Sequence, residues 1–228
     1  MYTMKRVFDL PQLRNKVGIF SDRTDAGEAL ADMMESYRGS NSIVLAIPAG
    51  GVPVASVIAR KLNLPMDVAV TSKITLPWNS EVGYGAVTFD GTMRLNEELI
   101  SHLKLTTQQI QEGINSTSEK VKRRLTSLRG DRPPLAISGH TAILVDDGLA
   151  SGFTMSTAVE AIRKAKAKQV IIAVPTAHYE SLQSLIQKVD LVYCPNIRSG
   201  WRFAVADAYK YWSDIEEEEL IKILNEAP

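Results

Sequence analysis

The sequence predicts one α/β domain, a mostly parallel sheet flanked by helices, and three observations carry that prediction. Short apolar runs recur at Ile43–Ile47, Met66–Val70, Thr141–Val145, Val170–Val174 and Leu191–Tyr193, the pattern of strands covered on both faces. Helical patterns separate them, and such alternation implies parallel pairing through crossover helices. With 228 residues, the chain is long enough to fill a single core.

In chain order, Asp22–Tyr37 reads as a helix that Ser21 or Asp22 can cap and Gly39 can end. Leu30, Met33, Met34 and Tyr37 give it an apolar stripe at helical spacing. The strand Ile43–Ile47 follows, then a turn at Pro48–Pro53, a helix through Leu62 and the strand Met66–Val70. Between Ser72 and Gly91 the residues Pro77, Trp78, Asn79, Gly83, Gly85 and Gly91 punctuate the pattern. A mobile loop followed by a hairpin, Gly85–Phe89 with Thr92–Leu95, is expected there. Asn96 can cap the next helix, and Thr106 opens a longer one reaching about Leu128, so residues 96–130 read as a helical insertion. Thr141–Val145, the helix Thr154–Lys166, Val170–Val174, the helix Tyr179–Val189 and Leu191–Tyr193 resume the alternation. An irregular, aromatic-rich stretch, Asn196–Asp214, and an acidic helix, Ile215–Asn225, form a C-terminal cap from about residue 195 to 228.

Composition narrows the classes of function. Acidic and basic residues balance, 26 against 26, so no overall field favours nucleic acid or an anionic membrane. The single cysteine, Cys194, rules out an internal disulfide framework and suits a reducing cytoplasm. Met1–Asp9 lacks the apolar stretch of a signal peptide. Ile43–Ala59 carries no charged side chain, but Pro48, Gly50, Gly51 and Pro53 would break a spanning helix in its middle. A soluble protein is expected.

The chemistry concentrates after the strand Thr141–Val145, in Asp146-Asp147-Gly148-Leu149-Ala150-Ser151-Gly152-Phe153-Thr154. Ligands of open parallel sheets sit beyond the carboxyl ends of the strands. Gly148 and Gly152 permit backbone conformations that residues with a Cβ resist. The loop amides and the helix start then form a cradle for a phosphate dianion, to which Ser151 and Thr154 add hydroxyl donors. Asp146 and Asp147 would repel phosphate; they suit a sugar diol or a divalent cation.

This segment resembles the phosphoribosyl-diphosphate motif of the type I phosphoribosyltransferases. Asp22-Arg23-Thr24-Asp25-Ala26-Gly27, Pro48-Ala49-Gly50-Gly51-Val52-Pro53 and Asn79-Ser80-Glu81 are similar to a branch of predicted members whose substrates are undefined. The resemblance implies one domain of that fold over residues 1–228. It implies that Asp146 and Asp147 hold the ribose 2- and 3-hydroxyls and that Gly148 to Thr154 hold the 5-phosphate. Ala49-Gly50-Gly51 matches the family's diphosphate loop, which often contains a non-proline cis peptide. The implied reaction moves ribosyl 5-phosphate from phosphoribosyl diphosphate to a nitrogen nucleophile such as a nucleobase. Mg²⁺ held by Asp146 and Asp147 would bridge ribose and diphosphate, and a homodimer is implied.

Two positions depart from the family pattern. Relatives commonly carry arginine where this chain has Ala49; a charged hydrogen bond is worth about 1.5–3 kcal/mol. Lys73, after the second strand, is the best local substitute by sequence, although a lysine at a strand end is commonly just solvated. Members acting on 6-oxopurines place an acidic residue where this chain has Ala150, which counts against hypoxanthine or guanine. Glu81 is a candidate general acid or base, and the Lys73–Gly85 segment a candidate lid.

Elsewhere, Trp201, Phe203, Tyr209, Tyr211 and Trp212 read as a stacking platform for a base or as core and dimer contacts. Arg198 and Arg202 read as phosphate ligands or as solvated residues. Lys120, Lys122, Arg123 and Arg124 read as a solvated helix face, and Cys194 as a small buried hydrophobe. Two alternatives to the transferase stay open: a phosphoribosyl-diphosphate or nucleotide sensor without turnover, kept alive by Ala49 and Ala150, and a phosphohydrolase using the same cradle.

Overall fold

A computed structural model describes residues 6–228, with Glu81 described by its backbone alone. The chain opens with a two-residue strand β1 (Val7–Phe8) and a short 3₁₀ turn, then α1 (Arg23–Met33). Asp22 caps α1: its carboxylate accepts from the Asp25 amide at 2.9 Å, while the Asp25 carboxylate accepts from the Ser21 amide at 2.8 Å. That exchange satisfies donors a helix start leaves open. β2 (Ser42–Ala46), α2 (Gly51–Leu62) and β3 (Met66–Val68) follow. Next come β4 (Thr71–Leu76), β5 (Asn79–Thr88) and β6 (Met93–Leu95). The helices α3 (Glu97–Leu103), capped by Asn96, and α4 (Thr107–Arg129), opened by a Thr106/Gln109 capping box, come after them. The chain continues through β7 (Thr141–Val145), α5 (Phe153–Lys164), β8 (Gln169–Ala173), β9 (Thr176–His178), α6 (Tyr179–Leu185), β10 (Leu191–Tyr193), β11 (Asn196–Arg198) and α7 (Glu217–Asn225).

Six strands form the central sheet in the order β1-β10-β8-β7-β2-β3, every neighbouring pair parallel. The apolar runs divide their residues between two cores because successive side chains point to opposite faces. Val44, Ala46, Ile143, Val145, Ile171 and Ala173 pack with α1, α2, α4 and α7. Ile43, Leu45, Leu144, Ile172 and Val192 pack with α5 and α6. At the far edge, the Phe8 ring stacks on Tyr193 at 4.9 Å between centroids.

The topology places the crevice. From β2 the chain crosses by α2 to β3, whereas from the adjacent β7 it crosses by α5 on the opposite face to β8. The loops leaving β2 and β7 therefore diverge at a switch in strand order, where open α/β sheets leave a cleft. Ala46 and Val145 are register partners, so the residues just beyond them face one another.

Three local expectations are corrected. Residues 72–84 form no loop: β4 and β5 are antiparallel partners joined through Pro77 and Trp78, and β6 completes a three-stranded sheet. Tertiary packing outweighs the glycine punctuation there, because Ile74, Leu76 and the fully buried Tyr84 anchor the hairpin to the core shared with α4. The region 196–214 is not wholly irregular, since β11 pairs in parallel with β9. α6 ends at Leu185 rather than Val189. The C-terminal α7 buries Leu220 and Leu224 in the main core.

Candidate active site

β7 delivers the acidic pair to the cleft. The Asp147 backbone amide donates to Oδ1 of Asp146 at 2.9 Å, which fixes the Asp146 carboxyl against the next peptide. Burial and the neighbouring charge of Asp147 push the Asp146 carboxyl well above the usual range. Burial also raises Asp147, although Arg23 opposes the shift. Two half-buried carboxyls that resist ionising together form a pair suited to a cation or to hydroxyl donors.

Asp147 is held from three directions. Arg23, the first residue of α1, donates through Nε to Oδ2 at 2.9 Å. The Tyr209 hydroxyl donates to the backbone oxygen of Asp147 at 2.6 Å; burial and the Asp147 charge push this phenol upward. The third restraint is the loop leaving β2. A Cβ on Gly50 would stand 1.7 Å from Oδ2 of Asp147, so only glycine admits the carboxylate at this position. The Pro48–Ala49 peptide in this loop is cis, as the resemblance implied, and α2 begins at Gly51. The segments 48–51 and 146–147, far apart in sequence, thus meet across the cleft.

Beyond the pair, the loop is tied to the β9–β11 sheet. The Leu149 amide donates to the Thr176 oxygen at 2.9 Å, and the His178 amide donates to the Leu149 oxygen at 2.9 Å. Ser181 Oγ donates to the Ala150 oxygen. Gly148 and Leu149 are buried, Ala150 and Ser151 exposed, and Phe153 and Thr154 half-buried in the first turn of α5. Gly152 caps α5 with a left-handed φ of 72°. The exposed turn at Ala150–Ser151 and the start of a twelve-residue helix together present amides and a positive dipole end to an anion.

Lys73 is exposed on β4, paired in register with Ala86. Its methylenes lie over Gly83, 3.3 Å from where a Cβ there would be, so it follows its own hairpin. Glu81 belongs to β5, and its side chain lies outside the described residues. Arg198 is neither a phosphate ligand nor solvated: it is 7% exposed and donates to the Ala204 oxygen and the Asp207 carboxylate, both at 2.9 Å. Among the aromatics, Trp201 and Tyr211 are exposed, Phe203 packs on His178 and Arg198, and Tyr209 and Trp212 reach Arg23. Cys194 is buried, with its thiol pushed upward by burial.

Arg23 and the role of Tyr209 escaped the sequence reasoning. Arg23 did lie within the segment Asp22–Gly27 that carried the resemblance, directly after the helix cap, and that was the available signal. Among the described residues, no group of three or more His, Cys, Asp or Glu side chains could hold a metal ion. Two carboxylates do match Mg²⁺, which binds through one or two of them and completes its shell with water and substrate phosphate oxygens. No helix among the described residues is long and apolar enough to cross a membrane.

Comparison with known proteins gives the family and the fold. Residues 90–208 match the model of the phosphoribosyl transferase domain. Two curated proteins of Mycobacterium tuberculosis, MT0597 and Rv0571c, each provisionally named a phosphoribosyl transferase, are 31% identical over 209 residues. Those matches cover 92% of this chain, which spans about half (47%) of the length of the curated relatives. The crystal structure of TT1426 from Thermus thermophilus superposes with a TM-score of 0.75 and 29% identity, covering 91% of this chain and 98% of that one.

Proposed function

Because the chain belongs to the phosphoribosyl transferase domain family, we propose that it moves ribosyl 5-phosphate from phosphoribosyl diphosphate to a nitrogen nucleophile, a nucleobase or a related heterocycle. One observation carries this reading: the acidic pair at the end of β7 abuts the glycine loop at the end of β2, with α5 starting beside them. A ribose would lie with its hydroxyls on Asp146 and Asp147. Its 5-phosphate would meet the amides of residues 148–154, and its diphosphate those at the start of α2. In the reaction the bond from C1 to the diphosphate oxygen breaks, its electrons leaving with diphosphate. The acceptor nitrogen bonds C1, and its displaced proton passes to a base or to solvent.

Asp146 and Asp147 would hold Mg²⁺, which supplies charge neutralisation for the leaving diphosphate. The protein's part is to orient the sugar, to hold the carboxylates against each other, and to keep Asp147 fixed through Tyr209 and Gly50. Preorganised groups of this kind stabilise developing charge without reorganising during the reaction. Ala150, exposed where a 6-oxopurine enzyme would carry an acid, supports an acceptor other than hypoxanthine or guanine. A homodimer belongs to the same proposal.

Calorimetric titration of phosphoribosyl diphosphate with Mg²⁺ tests it, using wild type and an Asp146→Asn/Asp147→Asn variant. Micromolar binding that the variant loses, followed by acceptor-dependent diphosphate release across a panel of bases, is the expected result. No binding to wild type would overturn the proposal. Binding with no release on any acceptor would favour a sensor, and release with water alone a hydrolase.

A further inference from the structure

Among the described residues, Arg23 is the one cation brought to the acidic pair, and it arrives where the diphosphate loop lacks one. Ala49 supplies no charge, and Lys73 lies along its own hairpin. Arg23 Nε is 2.9 Å from Oδ2 of Asp147, the atom that a Cβ on Gly50 would approach to 1.7 Å. Nε is therefore no more than 4.6 Å from that point on the loop. An arginine side chain adjusting its outer torsions spans such a distance.

The surroundings of Arg23 leave it able to do so. Its position is set at the first turn of α1 by the Asp22–Asp25 capping exchange, and α1 packs along α2, whose N-terminus faces the same loop. The guanidinium lies 3.9 Å over the Trp212 ring, a platform on which a planar cation keeps its edge free. Nε serves Asp147 and Nη1 serves the Ser213 oxygen at 2.9 Å. The remaining three of its five N–H donors have no partner among the described residues. A groove of about 460 Å³ opens along Arg23, Pro53, Lys210 and Trp212, with Asp22 and Glu219 also on its wall. Pro53 lies in the first turn of α2, so the groove borders that turn beside Arg23.

Resting on the transferase reading above, we infer that Arg23 is the diphosphate-binding cation of this protein, a residue delivered by α1 in place of the arginine missing at position 49. Without ligand it neutralises Asp147. When a divalent cation occupies the carboxylates, two cations compete for one anion, and the guanidinium turns to the incoming diphosphate. A fork of N–H donors on a planar cation matches phosphoryl oxygens in pairs, which the ammonium of a lysine cannot do. Trp212 keeps the turning group in plane.

The test compares three probes by calorimetry in Mg²⁺: phosphoribosyl diphosphate, inorganic diphosphate and ribose 5-phosphate. Arg23→Gln should weaken the first two about tenfold or more, the loss of one charged hydrogen bond, and leave ribose 5-phosphate within about twofold. Arg23→Lys should recover only part of the loss and keeps the variant interpretable if removing the charge unsettles Asp147; a melting curve on each variant confirms folding. Equal weakening of all three probes would reduce Arg23 to a positioning partner of Asp147 and overturn the inference while leaving the transferase reading intact. Unchanged binding of diphosphate in Arg23→Gln would overturn it likewise. Failure of wild type to bind phosphoribosyl diphosphate would overturn both.

Discussion

A methyl group added at Gly50 should disable the site without disturbing the fold around it. Gly50 has φ −60° and ψ −29°, a helical conformation that alanine adopts freely, so Gly50→Ala carries no backbone penalty. The whole effect falls on one contact. The new Cβ would stand 1.7 Å from Oδ2, 2.2 Å from Cγ and 2.8 Å from Oδ1 of Asp147. Carbon and oxygen normally settle at roughly 3.5 Å, so the carboxylate or the loop must retreat by about 1.5–2 Å. A shift of that size breaks the 2.9 Å bond from Arg23 and takes the carboxylate off the ribose hydroxyls. Each hydrogen bond lost between the carboxylate and the ribose costs about 1.5–3 kcal/mol, or roughly 10- to 150-fold in affinity. Titration with ribose 5-phosphate and phosphoribosyl diphosphate in Mg²⁺ reads this directly. Wild-type dissociation constants in Gly50→Ala would refute the placement of Asp147 at the ligand.

Three further outcomes are expected. Asp146 and Asp147 have folded pKa values raised by burial; the folded state holds protons that the unfolded chain has released, so stability falls as pH climbs from about 3.9 through the raised values. Asp146→Asn should therefore melt higher than wild type, by an amount that grows with pH across that window and reaches about 2–4 °C per kcal/mol relieved; a gap independent of pH would contradict the assigned shift. Tyr209→Phe removes the 2.6 Å bond to the Asp147 carbonyl and should cost about 0.5–1.5 kcal/mol, read as a lower melting temperature and a modestly weaker ribose 5-phosphate affinity, whereas unchanged melting would show that the hydroxyl restrains nothing. Leu144 is fully buried between β7 and α5, so Leu144→Ala should lose about 2–5 kcal/mol to transfer and cavity terms in denaturant unfolding, and a loss below about 1 kcal/mol would contradict the close packing of that face.

The candidate phosphate cradle was legible in the sequence because its chemistry is local. An apolar strand, two carboxylates, two glycines and a helix start are consecutive residues, and each fixes the backbone of its neighbours through hydrogen bonds and sterics that act over a few positions. The central sheet was legible for the same reason: β2 and β7 are apolar on both faces, which only burial between helix layers explains. β4 was not legible. Its residues Thr71–Leu76 do alternate, but Pro77 and the glycines after it carry the local signature of a loop. What makes the segment a strand is the packing of Ile74, Leu76 and Tyr84 with α4, and no short window contains that contact.

The restraints on Asp147 show where such reasoning stops. Arg23 lies 124 residues before it and Tyr209 lies 62 after it; neither separation leaves a mark in periodicity or spacing. A single chain identifies the groups that touch a ligand when the loop that carries them is continuous. It does not identify the groups that hold those side chains in place, because α1, the loop after β2 and the segment before α7 are brought together only by the fold. Under the transferase proposal these distant groups would matter to the chemistry as much as the motif does. A buried carboxylate pair left to itself would take up protons or turn away. Arg23 and Tyr209 hold Asp147, and the bare backbone of Gly50 leaves room for its carboxylate, the arrangement that the proposed cation and sugar would meet.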